Sequence, residues 1–172
     1  PNYKTVTSNI PVTVKSRSIT IRPDRKEKEY GQTITEYTWS ISDGSLAGED
    51  LLDDLNVNVS LTAGDAEKES CEVGTYEITE KAPTTVENQN YVVTFEPGIL
   101  IVQPKPVDVV WNTDGTIIYT GKEVNVTAEL SGVLFKDECK AVVEDGNAVE
   151  PGKYTASIVG LTGEQCYNYV LH

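Results

Sequence analysis

Histidine occurs once, as the last residue His172; methionine is absent, and cysteine occurs only at positions 71, 139 and 166. A single terminal histidine excludes Ser-His-Asp triads and histidine-based metal centres. Three cysteines, with no Cys-x-x-Cys, do not make a disulfide framework or a zinc knuckle. Phosphate-cradling glycine loops are also missing, both Gly-x-x-x-x-Gly-Lys and Gly-x-Gly-x-x-Gly. Apolar runs never reach the ~18 residues a membrane-spanning helix needs, and no leader-peptide pattern is present. Positive charge is scarce too. Fourteen Lys and Arg stand against 27 Asp and Glu, a net charge of −13 with pI near 4.4. Such a surface repels phosphate, which argues against nucleic acid and anionic membranes, and no membrane insertion is expected.

Val, Ile, Thr and Tyr are what the chain has in quantity, the residues that fit a pleated, half-buried surface. Apolar and polar residues alternate over Ile10–Val14, Ser18–Arg22, Thr33–Ile41, Leu55–Leu61, Thr75–Thr79, Tyr91–Phe95 and Ile99–Val102. The same alternation returns over Val107–Trp111, Thr116–Tyr119, Val124–Leu130, Lys140–Glu144, Lys153–Val159 and Tyr167–Leu171, and all of these segments are expected as strands. Turn residues at Glu96-Pro97-Gly98 and Asn112-Thr113-Asp114-Gly115 predict hairpins. Only 47–55 could turn helically. The expectation is an all-β protein of two tandem, small, Ig-like β-sandwich modules. The rival is a pair of β-grasp-like modules, with 47–55 as one short helix.

Repetition supports the tandem reading. Asn-Tyr recurs at 2–3, 90–91 and 168–169, and Gly74-Thr75-Tyr76 precedes Asn90 by the same interval as Gly152-Lys153-Tyr154 precedes Asn168 (90 − 74 = 168 − 152 = 16). The period is too long for a solenoid unit of ~20–50 residues and suits a repeated domain. The expected boundaries are 1–17 for the closing strands of a preceding repeat, 18–104 for a first module and 105–172 for a second, the second possibly short of its last strand. Because the chain opens in mid-repeat on Pro1, it is expected to be a piece of a longer protein; alternatively the domain begins at Asn2 and nothing is missing. Pro104-Lys105-Pro106 is the expected joint, extended and kept out of a sheet centre by its missing backbone donors.

The ordered set Tyr30-Gly31, Gly44-Ser45-Leu46-Ala47-Gly48-Glu49-Asp50-Leu51, Val73-Gly74-Thr75-Tyr76-Glu77-Ile78, Asn90-Tyr91 and Gly98-Ile99-Leu100-Ile101-Val102 resembles the MBG (YGX-type) repeats of bacterial cell-surface proteins. Tyr119-Thr120-Gly121, Pro151-Gly152-Lys153-Tyr154 and Tyr167-Asn168-Tyr169 resemble a sister type with Tyr-x-Gly. The resemblance implies a secreted, wall-associated, adhesin-like protein whose repeats form a stalk. It implies no catalytic residues and no cofactor.

Several residues stand as site candidates. Asp50, Asp53 and Asp54 are weak candidates for calcium, from one acidic loop but without EF-hand spacing. Cys139 and Cys166 could pair, although buried thiols are the favoured expectation. Trp39, alternating with Tyr37 and Ile41, is expected in the core, and Trp111 is expected to be partly exposed, packing rather than gripping a glycan. Asn58-Val59-Ser60 and Asn125-Val126-Thr127 fit the glycosylation triplet by chance. Gly74 and Gly152 are expected at positive φ, with Tyr76 and Tyr154 burying their rings and Asn90 and Asn168 capping loops.

The function expected is a non-enzymatic extracellular spacer on a bacterial surface. The alternative is a binding module that recognises a host protein or glycan through loops of the first module. Neighbouring repeats are the expected partners, with head-to-tail strand exchange between copies: residues 1–14 match 89–102 and could complete a neighbour's second module.

Overall fold

The computed structural model describes residues 7–172. Strands β1 (Arg17–Pro23), β2 (Lys26–Glu29), β3 (Trp39–Asp43), β4 (Val57–Thr62), β5 (Gly74–Val86), β6 (Tyr91–Phe95) and β7 (Gly98–Gln103) build the N-terminal half. One sheet has the order β3-β1-β6 and the other β2-β7-β5-β4. Alternation explains the packing: in β1, Ile19, Ile21 and Pro23 point inward and are buried, while in β7 Gly98, Leu100 and Val102 do the same. Ile19, Leu55 and Tyr91 form one buried cluster, and Ile34, Ala66, Ile78 and Leu100 form another. The protein is all-β, and this half packs as a two-sheet sandwich.

The expected hairpin at Glu96-Pro97-Gly98 is not there. β6 runs parallel to β1, and β7 runs parallel to β2. Both long strands therefore switch sheets at the same level, β1 to β2 through Asp24-Arg25 and β6 to β7 through Glu96-Pro97. Gly98 permits the crossing, because a Cβ on it would lie 2.6 Å from Pro23 Cβ and 2.7 Å from the Pro23 carbonyl oxygen. Turn chemistry at 96–98 marks a change of sheet rather than a reversal.

Other expectations are corrected by pairing. Of the expected 33–41 strand only 39–41 is one, the start of β3, which continues to Asp43, and 47–55 supplies a single 3-10 turn at Leu52–Leu55 rather than the helix of the β-grasp rival. Ile10–Val14 and Thr116–Tyr119 have the alternation of strands but no backbone partner, and both are exposed. Pro83 is tolerated inside β5 because the β4–β5 register is interrupted beside it, between Ser60↔Ala82 and Asn58↔Thr85.

The C-terminal half contains β8 (Lys105–Trp111), β9 (Val124–Asn125), β10 (Ala128–Ser131), β11 (Lys140–Glu144), β12 (Asn147–Ala148), β13 (Ser157–Thr162) and β14 (Tyr169–Leu171). Their sheets are β10-β8-β14, β11-β13 and β12-β9, so no described strand of one half pairs with the other. Pro104 alone separates β7 from β8. Pro106, expected outside any sheet centre, lies in the middle strand of the first of these sheets. It is tolerated there because β14 pairs with β8 at 105–107 while β10 pairs only at 108–111, leaving that strand one-sided at the proline.

Inside the N-terminal half, Glu67 organises a turn. Its carboxylate accepts from the Ala63 N–H at 2.8 Å, the Thr62 hydroxyl at 2.9 Å and the Tyr37 hydroxyl at 3.2 Å. Burial pushes the Glu67 carboxyl up, but these three donors overcome it and hold it below its ordinary value of 4.5. A depressed folded-state value gives stability that is present above 4.5 and lost as pH falls through the folded value. Glu67→Ala is therefore expected to cost about 2 kcal/mol at neutral pH, and less in acid, by urea unfolding at the two pH values.

Candidate functional site

The C-terminal half has few buried residues, and they gather against the N-terminal half. Val107, Cys139 and Tyr169 form one cluster with Tyr30 and Val102, flanked by Tyr76, Leu130 and Leu134. Half-buried Asp137 lies beside it. Its Oδ2 accepts from the Tyr169 hydroxyl at 2.6 Å and from the Tyr30 hydroxyl at 2.8 Å. The rings of Tyr30 and Tyr169 meet edge to face at 5.5 Å, and Phe135 meets Tyr30 in the same way at 5.6 Å. Burial first, then the Asp137 carboxylate, pushes the Tyr169 hydroxyl up to about 12 and raises that of Tyr30 further. Asn168, fully buried, accepts the Val73 N–H across the junction at 2.9 Å, leaving its amide nitrogen without a partner.

The same clamp occurs within the N-terminal half. Tyr91 donates to Asp50 Oδ2 at 2.6 Å and accepts the Ala47 N–H at 2.8 Å; Tyr169 likewise accepts the Leu134 N–H at 2.9 Å. Gly48 and Phe135 occupy corresponding places and share positive φ, 56° and 52°. A Tyr, an Asp and a loop N–H thus form a repeated fastening, tying the closing strand of each half to a loop. The Tyr30 hydroxyl adds a second donor only at Asp137. It is this donor that makes a local fastening into a contact between halves.

The calcium candidates do not converge. Asp50 is engaged by Tyr91, Asp54 caps the 3-10 turn by accepting the Leu51 N–H at 2.8 Å, and Asp53 uses its backbone carbonyl to accept from Asn56. Among the described residues no group of three or more acidic, histidine or cysteine side chains is placed to hold a metal ion. Trp39, Tyr37 and Ile41 are half-buried, and Trp111 is exposed. Asn58 and Asn125 are exposed on β4 and β9. No described helix is long and apolar enough to cross a membrane.

Two expectations about the repeated motif need correction. Gly74 and Gly152 are not among the positive-φ glycines. Each instead lies under the ring two residues on: a Cβ at Gly74 would meet Tyr76 at 3.4 Å, and one at Gly152 would meet Tyr154 at 3.1 Å. The hydroxyls then donate four residues back, Tyr76 to the Glu72 carbonyl at 2.8 Å and Tyr154 to the Glu150 carbonyl at 2.9 Å. Gly-x-Tyr is a ring folded back on its own strand entrance, which resembles the tyrosine corner of β-sandwiches. The Tyr154 ring is exposed rather than buried. Asn90 is exposed and works through its backbone, receiving the Arg17 N–H at 2.8 Å, whereas Asn168 bridges through its side chain.

Cys139 and Cys166 are joined by a disulfide, against the expectation of free thiols, with Cα atoms 4.8 Å apart. They lie at the open end of the β11–β13 hairpin, where Lys140 pairs with Thr162. Gly163, at φ +137°, lets the returning turn press on the preceding loop: a Cβ there would stand 1.9 Å from the Glu138 carbonyl oxygen. Cys71 is free.

These features define a class: an all-β module whose loops are tied to its strands by tyrosine–carboxylate fastenings. Residues 19–101, from β1 to β7, match the family model of the MBG domain (YGX type). No curated protein and no solved structure matches the chain.

Proposed function

We propose that the chain is a length of extracellular stalk: two successive β-modules, 18–104 and 105–172, in a bacterial adhesin-like surface protein, performing no catalysis. The observation that carries this reading is the junction. One residue, Pro104, joins β7 to β8, and Tyr30, Asp137 and Tyr169 fasten the two halves by part-buried hydrogen bonds and ring contacts. A spacer must transmit position, and a shared buried contact does so better than a flexible linker. The Cys139–Cys166 disulfide supports the extracellular placement, since such bonds persist in oxidising surroundings. The acidic surface keeps tandem copies soluble.

Small-angle scattering tests the reading. An elongated particle with one fixed orientation of its halves is expected, with a distance distribution skewed towards long values. A side-by-side compact particle, or a broad ensemble about Pro104, overturns the stalk.

A further inference from the structure

The free thiol of Cys71 and the Cys139–Cys166 disulfide share the packing of the junction. Cys139 is inside the cluster around Tyr30, Val102 and Val107, and Cys71 and Cys166 pack against it. Two sets of hydrogen bonds bracket the thiol. On one side the Glu69 carbonyl accepts the Gly31 N–H at 3.0 Å. The adjacent Tyr30 hydroxyl donates to Asp137, whose carbonyl accepts the Cys139 N–H at 3.1 Å. On the other side the Val73 N–H donates to the Asn168 side chain at 2.9 Å. Cys71 is two residues from each bracket (71 − 69 = 73 − 71), and the bridged cysteines are two residues from the far ends (139 − 137 = 168 − 166). The contacts also advance in step. Val73 meets Asn168, and the Glu72 carboxylate, first among the causes, raises the Tyr167 hydroxyl. Both are at one offset (168 − 73 = 167 − 72 = 95), and one step further sets Cys71 against Cys166.

The two sulfurs of the bridge are not equivalent. Cys139 is buried, whereas Cys166 is half-buried and begins the short 3-10 turn Cys166–Asn168. Cys71 is also half-buried, in the irregular stretch that leads into β5. An incoming thiolate therefore reaches Cys166 before Cys139. A new bridge needs Cα atoms within about 7 Å of one another, and loop segments rather than paired strands supply the approach. Asn168 adds a donor at this place. It is fully buried two residues beyond Cys166, and its amide nitrogen has no acceptor, so it is free to receive charge on sulfur.

We propose that Cys166 has two alternative partners, Cys139 within its own half and Cys71 across the junction, interchanged by thiol–disulfide exchange. The Cys71 thiolate attacks Cys166 Sγ. The Cys71–Cys166 bond forms, the Cys139–Cys166 bond breaks, and Cys139 leaves as a thiolate that takes up the proton Cys71 gave up. No oxidant or reductant is consumed. The two products differ in what they hold. The Cys139 pairing staples the open end of the β11–β13 hairpin, whereas the Cys71 pairing ties one half covalently to the other. Exchange thus trades the stability of the C-terminal half for a fixed joint. The inference goes beyond the stalk reading, which needs only the non-covalent contact.

Peptide mapping tests this. The intact chain is held at about pH 8.5, where about half of an ordinary thiol is ionised, then quenched in acid, alkylated and digested. A peptide pair joined through Cys71 and Cys166 is expected, with the alkyl label moving from Cys71 to Cys139 in the same proportion. Its rate of appearance is expected to fall about tenfold for each pH unit below that value. In urea the brackets are gone, so Cys71 should pair with Cys139 and Cys166 alike. The folded chain should favour Cys166 by about tenfold or more, because the brackets raise its effective concentration. Three results overturn the proposal: label confined to Cys71 after prolonged incubation, Cys71 pairing as readily with Cys139 as with Cys166 in the folded chain, or the new peptide pair found only in disulfide-linked dimers. The Cys71→Ser variant cannot exchange, and small-angle scattering on it still tests the stalk, so the two readings fail separately.

Discussion

Replacing both Cys139 and Cys166 with serine is expected to cost the C-terminal half about 3.5 kcal/mol and to unfold it before the N-terminal half, from the closure entropy of a loop of this size. The bridge spans 27 positions. What makes the loss decisive is how little else holds this half. Its buried hydrophobic residues are Val107, Cys139 and Tyr169, all in the junction cluster, whereas the N-terminal half has two further clusters of its own. Two of its strands, β9 and β12, are two residues long. Folding alone at this size requires staples when the core is thin. Urea unfolding followed at Trp39 and Trp111, one tryptophan in each half, reads the two transitions separately. Under oxidising conditions they should lie close together, and with dithiothreitol or in the double serine variant the Trp111 transition should move to lower urea. Coincident transitions in the reduced protein would show that the bridge adds nothing the junction does not already supply.

Much of this architecture is legible in the residues, and what is not has identifiable causes. Strict alternation locates β1, β6, β7 and β8 closely, because each has one face against a buried cluster. It failed at 10–14 and 116–119 for a reason alternation cannot carry: a strand needs a partner, and the described chain gives these segments none. Glu96-Pro97-Gly98 has the composition of a reversal, yet the same residues serve where a strand changes sheets, and only the second long strand, β1–β2, decides between the two. The glycine of Gly-x-Tyr suggests a conformational requirement, yet it answers a steric one, the Tyr ring lying over it. The bonds of Asp50 to Tyr91 and of Asp137 to Tyr169 are the features most easily missed. One aspartate lies 41 positions from its tyrosine and the other 32. Setting Leu46-Ala47-Gly48-Glu49-Asp50 beside Val133-Leu134-Phe135-Lys136-Asp137 would have paired the two aspartates through the repeat, although only the Asp is identical. The disulfide depended on Gly163 bringing two loops within reach, which spacing alone does not reveal.

Asp137→Ala is expected to cost about 3 kcal/mol and to loosen the two halves from one another, since it strips two buried hydroxyls of one acceptor. Asp137→Asn, which keeps an acceptor oxygen, should lose about 1 kcal/mol. Asp50→Ala is the internal control. It breaks the equivalent fastening of Tyr91, but that tyrosine binds a loop of its own half, so stability falls without any change in how the halves are oriented. Scattering separates the two variants: a broader distance distribution for Asp137→Ala, an unchanged one for Asp50→Ala. Alkali should mimic the first. The folded state raises the Tyr169 hydroxyl from 10.0 to about 12, favouring its neutral form, so the stability it contributes is whole below pH 10 and is lost as pH rises through about 12. Tyr169→Phe removes the ionisable group, and its loss of stability relative to the intact chain should shrink across that interval. If the gap stays constant between pH 9 and about 12, the tyrosine–carboxylate bond is not what secures the junction, and packing of Val102 against Val107 carries it instead.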